Sequence, residues 1–232
     1  MTQPDDLLER AEWPGGVEPP AALSAAIRGE CAAGLGKGRR CLTATQRLVR
    51  SLAIGAVTIG ALVLVGGGMR PGGLAGAGLA GLAGWMSVVG IVLVVGLWAP
   101  VGHRASRWGR FALLGVLPAS FAVYLMLIAD EWIPLASFGA EHQARAADCG
   151  LHAIVISAFL TAAMMLVWRR TDPFSPGLSG ALVGLAGGLV GALAVGAVCP
   201  THDAWHLLLS HGTLVALLSA AGWLVGRRAL AP

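Results

Sequence analysis

The sequence predicts an all-α, polytopic membrane protein with six transmembrane helices and a short N-terminal cytoplasmic tail. Three observations carry that prediction. The 232 residues are 56% hydrophobic and only 12% charged, with a mean hydropathy of +0.74, whereas soluble domains are about 25% charged. The apolar residues are gathered into six continuous runs, each near the ~20 residues that a bilayer core demands. The basic residues are unevenly divided between the connections. A closed β-barrel would need short alternating segments, which these runs are not.

Residues 1–46, the predicted cytoplasmic tail, form the one sizeable polar piece. In PDDLLERAEW, acidic residues precede Leu7 and Leu8, a helix-start pattern. WPGGVEPP then breaks the chain, AALSAAIRGECAAGL aligns Leu23, Ile27 and Cys31 on one helical face, and GKGRR leads towards the first apolar run. A segment this short buries little core alone, so it is either disordered or folds on a partner. It reads as a topology-setting extension or as a docking segment with Leu7, Leu8, Leu23 and Ile27 as anchors in a groove. Cys31 and Cys41 match no zinc spacing and read as incidental, reduced thiols.

The transmembrane domain is predicted over 47–228, with spans at about 48–66, 74–97, 111–129, 149–168, 178–198 and 205–226. Arg50 is the lone Asp, Glu, Lys or Arg inside any of them. The first span is not read as a cleavable signal peptide, because a long polar tail precedes it. The second and fifth are glycine-rich. Gly180, Gly184 and Gly188 recur every four residues, as do Gly187 and Gly191, which permits close helix packing. No Lys-Ser or Lys-Thr follows those glycines, so they do not form a phosphate loop.

With both termini in the cytoplasm, fourteen of the sixteen basic residues lie inside and only Arg70 and Arg145 lie outside. This is the positive-inside pattern of a polytopic membrane protein. It explains the net charge of +4 without direct binding to nucleic acid. Trp98, Trp108, Trp132, Trp168 and Trp205 fall at span ends, where indole rings settle at headgroup level beside membrane lipid. Only His152 and His211 are candidate titratable groups within the spans, which disfavours a proton-coupled transporter. The absence of HExxH, GxSxG and CxxC leaves zinc-protease, serine-hydrolase and dithiol-exchange chemistry without a motif.

Chemistry is concentrated in VCPTHDAWHLLLSH, from Val198 to His211. Cys199 ends the fifth span and Cys149 begins the fourth, and the midpoint between them is Phe174 in the connecting turn. The two sulfurs therefore lie at similar depth, where a disulfide would require a Cα separation of roughly 6 Å. His202, Asp203 and His206 follow Cys199, with His152 a turn inside span four and His211 inside span six. If the sixth helix starts early, His202 and His206 share a face. Thiolate and imidazole together suit a soft or borderline divalent metal such as zinc, copper or cadmium. Three readings stand: a structural disulfide or two separate buried cysteines; a metal- or redox-responsive pair with histidine helpers; or a haem held by His152 with His206 or His211, for which no attachment motif is present. His103, among loop arginines, reads as solvated.

In its six-span layout, its early DDLLERA segment, and above all PGLSGALVGLAGG and CPTHDAWHLLLSHG with Cys199 fifty residues after Cys149, the sequence resembles the NrsF-type anti-sigma factors. The resemblance implies a non-enzymatic inner-membrane regulator whose tail holds an extracytoplasmic-function sigma factor. It also implies that Cys149 and Cys199 sense heavy metals or oxidants on the outer face. The family commonly carries acidic residues after the second cysteine and a later Trp-His or Trp-Tyr pair; here His202 replaces one acid and Ser210-His211 stands at the later pair. A six-span anti-sigma factor also controls light-induced carotenoid synthesis in myxobacteria, so light or singlet oxygen stands beside metal and oxidant as an input. The rival class is a membrane oxidoreductase that uses the Cys/His cluster with quinone or haem. A third is a structural or transport subunit.

Overall fold

The computed structural model describes residues 42–68, 78–98, 107–132, 139–169, 175–201 and 203–230, together with Ala25. Leu7, Leu8, Leu23, Ile27, Cys31, Cys41, His103 and His202 lie outside the described residues. The chain divides into two compact units, Met1–Leu42 and Thr43–Pro232. The second contains six long helices, and no strand occurs among the described residues.

The helices are α1 (Ala44–Val65), α2 (Gly78–Leu93, prolonged by a π-turn over Val94–Trp98), α3 (Arg107–Leu127), α4 (Ala140–Val167), α5 (Pro176–Gly196) and α6 (Ala204–Ala229, with a π-turn over Leu208–Gly212). By length and composition five are long and apolar enough to cross a membrane, and α2 is shorter. Their outward faces are apolar: Val57, Leu64, Val65, Leu127, Phe159 and Leu166 are all exposed. Such a surface suits lipid and not water.

α1 starts with a reciprocal cap. The Gln46 backbone N–H donates to Thr43 Oγ1 at 3.2 Å, and the Thr43 N–H donates to Gln46 Oε1 at 3.0 Å. Two of the otherwise orphaned donors at the helix start are satisfied in this way. The helix ends where Gly67 and Gly68 adopt φ of 76° and 107°, a region that side chains disfavour.

α4 begins at Ala140, well before the apolar run that opens at Cys149. Its extra turns are polar, with Glu141 and Arg145 paired one turn apart. At 1.5 Å per residue, 28 residues reach about 42 Å, beyond the ~30 Å hydrocarbon thickness.

α5 is the central element, buried from Gly177 to Gly196. Glycines bring two neighbours close. On one side Gly180 and Gly184 face Gly222, Gly226 and the Leu218 carbonyl of α6, and Gly188 faces Val215. A Cβ on Gly180 would stand 2.6 Å from Gly226 Cα, which no side chain accommodates. On another side Gly187 and Gly191 face Thr161 and Ser157 of α4. The four-residue glycine rows of the sequence are thus two separate packing seams on one helix.

The tryptophans divide. Trp108 and Trp132 are exposed at helix ends, while the side chain of Trp98 falls outside the description. Trp168 corrects the headgroup assignment: it is 1% exposed, and its Nε1 donates to Ser51 Oγ at 3.0 Å. Its indole N–H needed a partner once the ring faced the bundle, and α1 supplies it. At the same end of the bundle Arg110 is buried and donates to Ser175 Oγ (2.8 Å) and Ser179 Oγ (3.2 Å).

Candidate functional site

Cys149 and Cys199 meet at the opposite end of the bundle. Cys149 is half-buried in the third turn of α4, and Cys199 is buried in the connection that leaves α5. Both are free thiols, with their sulfurs 3.3 Å apart. A disulfide needs about 2.05 Å, so oxidation requires only a short approach.

His206 completes the group. Its Nε2 lies 3.1 Å from Cys199 Sγ, its side chain is wholly buried, and the three donor atoms fall within 4.8 Å of one another. The Cys199 proton has two acceptors within reach, Cys149 Sγ and His206 Nε2, besides the Thr201 carbonyl at 3.5 Å. The hydrogen bond to Cys149 and then burial push the Cys199 thiol up from its ordinary range, so that it stays protonated.

The local fold explains why His206 is held there. Asp203 caps α6, its Oδ1 accepting the His206 backbone N–H at 2.8 Å. The Ala204 N–H donates to the Glu131 carbonyl at 3.0 Å, tying the start of α6 to the segment that follows α3. Ser210 Oγ donates to the Ala146 carbonyl at 2.9 Å, tying α6 to α4.

The π-turn brings in a second imidazole. The Thr213 N–H reaches back five residues to the Leu208 carbonyl instead of four. In a regular α-helix residues five apart point about 140° away from each other, but a turn widened to i→i+5 brings them back towards one face. His206 and His211, five apart, have ring centroids 5.7 Å apart, and both are wholly buried.

The remaining sequence candidates fall elsewhere. α6 begins at Ala204 with Asp203 as its cap, and the face that His202 would share with His206 lies outside the described residues. His152 is exposed; its Nδ1 lies 2.9 Å from the Asp148 carbonyl and 3.7 Å from Asp148 Oδ1, away from the buried imidazoles. Asp203 acts as a cap through one oxygen, and its Oδ2 has no hydrogen-bond partner among the described residues. The sequence pointed to His206 and His211 as members of a cluster. The π-turn that aligns them leaves no mark in the hydrophobic pattern.

The chemistry of the donors fits a soft or borderline divalent cation: two thiols that become thiolates, and one imidazole nitrogen already turned towards them. The same arrangement permits disulfide formation between Cys149 and Cys199.

A helical bundle with an apolar exterior, carrying a thiol–imidazole cluster at one end of its buried central helix, defines a membrane-type protein with one reactive end. A family model described as negative regulator of sigma F matches residues 32–231. The chain belongs to that family, and its class is a negative regulator of a sigma factor and not a known enzyme family. No curated protein and no solved structure matches it.

Proposed function

We propose that this protein is an anti-sigma factor of the bacterial inner membrane, with both termini in the cytoplasm. Residues 1–46 hold an extracytoplasmic-function sigma factor away from RNA polymerase, and a signal at Cys149 and Cys199 on the outer face releases it. The observation that carries the sensing part is the 3.3 Å separation of the two sulfurs, one contributed by α4 and the other by the connection after α5, beside a buried imidazole.

Two inputs act on that pair. Hydrogen peroxide joins the sulfurs, each thiol losing its hydrogen while the peroxide is reduced to two waters. A soft divalent cation displaces both thiol protons without oxidation. Either event fixes α4 against the connection that leads from α5 into α6. Because α6 lies on α5 backbone to backbone, a shift at the entrance is carried to the arginines at its far end, next to the tail's side of the membrane. The signal moves the equilibrium only by its differential affinity for the two states, and a hundredfold preference corresponds to about 2.7 kcal/mol.

The test is a reporter driven by the sigma factor in cells carrying Cys149→Ser with Cys199→Ser, alongside capture of the sigma factor by the full chain. We expect retained capture and lost induction by cadmium and by peroxide. Normal induction in the double variant would remove the thiol pair from the mechanism, and failure of the full chain to capture a sigma factor would remove the regulatory assignment of the tail.

A further inference from the structure

We propose that His206 is the third donor of a metal site with Cys149 and Cys199, and that it sets the site's preference for a soft or borderline divalent cation over a purely oxidative input. The inference deepens the sensing role assigned to the thiol pair and rests on it.

Two independent observations support His206. The first is geometric: Nε2 is 3.1 Å from Cys199 Sγ, and all three donor atoms lie within 4.8 Å. The second is burial. His206 is 0% exposed, so its Nε2 is shut away from water and faces the sulfur of Cys199 instead. An imidazole kept in such a place, with this nitrogen turned into the thiol pair, is placed as a ligand would be; its Nδ1, which has no hydrogen-bond partner among the described residues, is not the nitrogen the cation takes.

The donors come from three pieces of chain: α4, the connection after α5, and the first turn of α6. Each is positioned without a metal, Cys149 by the helix itself and His206 by the Asp203 cap and the Glu131 carbonyl. Little ordering remains to be done on binding, which favours affinity.

Charge selects the ion. Two thiolates neutralise a divalent cation, and a neutral assembly is the form that a buried site tolerates. Magnesium and calcium take oxygen ligands and find none in this trio. On binding, each thiol gives its proton to solvent, the cation takes both sulfurs, and His206 contributes the Nε2 lone pair while keeping its proton on Nδ1. No electron is transferred.

The test uses the reduced full chain in detergent, titrated with Cd2+ against a competing chelator and followed by thiolate-to-cadmium absorption. Loss of residues that merely support a ligand costs about 10–100-fold in metal affinity, so we expect His206→Gln to weaken Cd2+ binding at least about tenfold. The same variant treated with azodicarboxamide, which accepts the two hydrogens, should still form the Cys149–Cys199 disulfide, showing that the pair is in place. Wild-type affinity in His206→Gln would overturn the assignment of His206 alone. A wild-type chain that binds no Cd2+ would overturn the metal site. The sensing role of the pair fails separately, through the cellular response of the double cysteine variant.

Discussion

The indole of Trp168 donates to Ser51 Oγ at 3.0 Å between two helices, and both residues are buried. This bond pins the end of α4 to α1. Trp168→Phe leaves the Ser51 hydroxyl buried without its donor, at a cost of about 1–3 kcal/mol. Removing both groups in Trp168→Phe with Ser51→Ala should recover part of that loss, because no polar atom is then stranded. Thermal unfolding of the four proteins in detergent measures the coupling, and a strictly additive double variant would contradict it.

Gly184 and Gly115 offer a matched pair of Gly→Ala changes. A Cβ on Gly184 meets the Leu218 carbonyl and lies 3.2 Å from Gly222 Cα, whereas one on Gly115 meets nothing within 4 Å. Gly184→Ala should destabilise by about 1–3 kcal/mol through overpacking. Gly115→Ala should be neutral or slightly stabilising, since Ala is the better helix former. The midpoint of unfolding in a denaturing detergent distinguishes them, and equal midpoints would argue against the α5–α6 seam.

Asp203→Ala should remove the cap of α6 at a cost of about 0.5–2 kcal/mol, while Asp203→Asn should retain most of it. The cap also holds the His206 backbone beside Cys199. Alkylation of Cys199 by a maleimide should therefore be faster in Asp203→Ala than in Asp203→Asn. Identical rates would mean that the cap does not shield the thiol.

Leu7→Asp with Leu8→Asp should abolish capture of the sigma factor by the full chain and leave thermal unfolding of the bundle unchanged. The charges would enter an apolar groove on the partner and be desolvated there. Undiminished capture would assign binding to other residues of the tail.

The hydrophobic pattern made the six helices legible, because each apolar run had to satisfy its own backbone within a bilayer. The glycine rows of α5 were legible for a similar reason, since a four-residue interval repeats on one face. Rotation about a helix axis was not. Trp168 at a span end reads the same whether its ring faces lipid or Ser51, and only the packed bundle separates the two. The start of α4 was obscured because Glu141, Arg145 and Asp148 end the apolar run without ending the helix. At the site, equal depth of the two cysteines followed from their symmetric placement about Phe174. The pairing of His206 with His211 did not follow from any period near 3.6, because it depends on one widened turn.

The burial of α5 on every side bears on how the protein is made. A helix of mean hydropathy 2.0 is apolar enough by composition to cross a membrane, but its glycine rows are filled only when neighbouring helices pack against them. Synthesis runs from α4 through α5 to α6, so α5 is made with one of its two close neighbours already present and the other still unmade. The α4 seam, through Ser157 and Thr161, is available to α5 as soon as α5 is made, whereas the seam with α6 must wait for α6. The cysteines follow the same order: Cys149 is in place before Cys199, and His206 arrives last, with the helix that shuts the bundle.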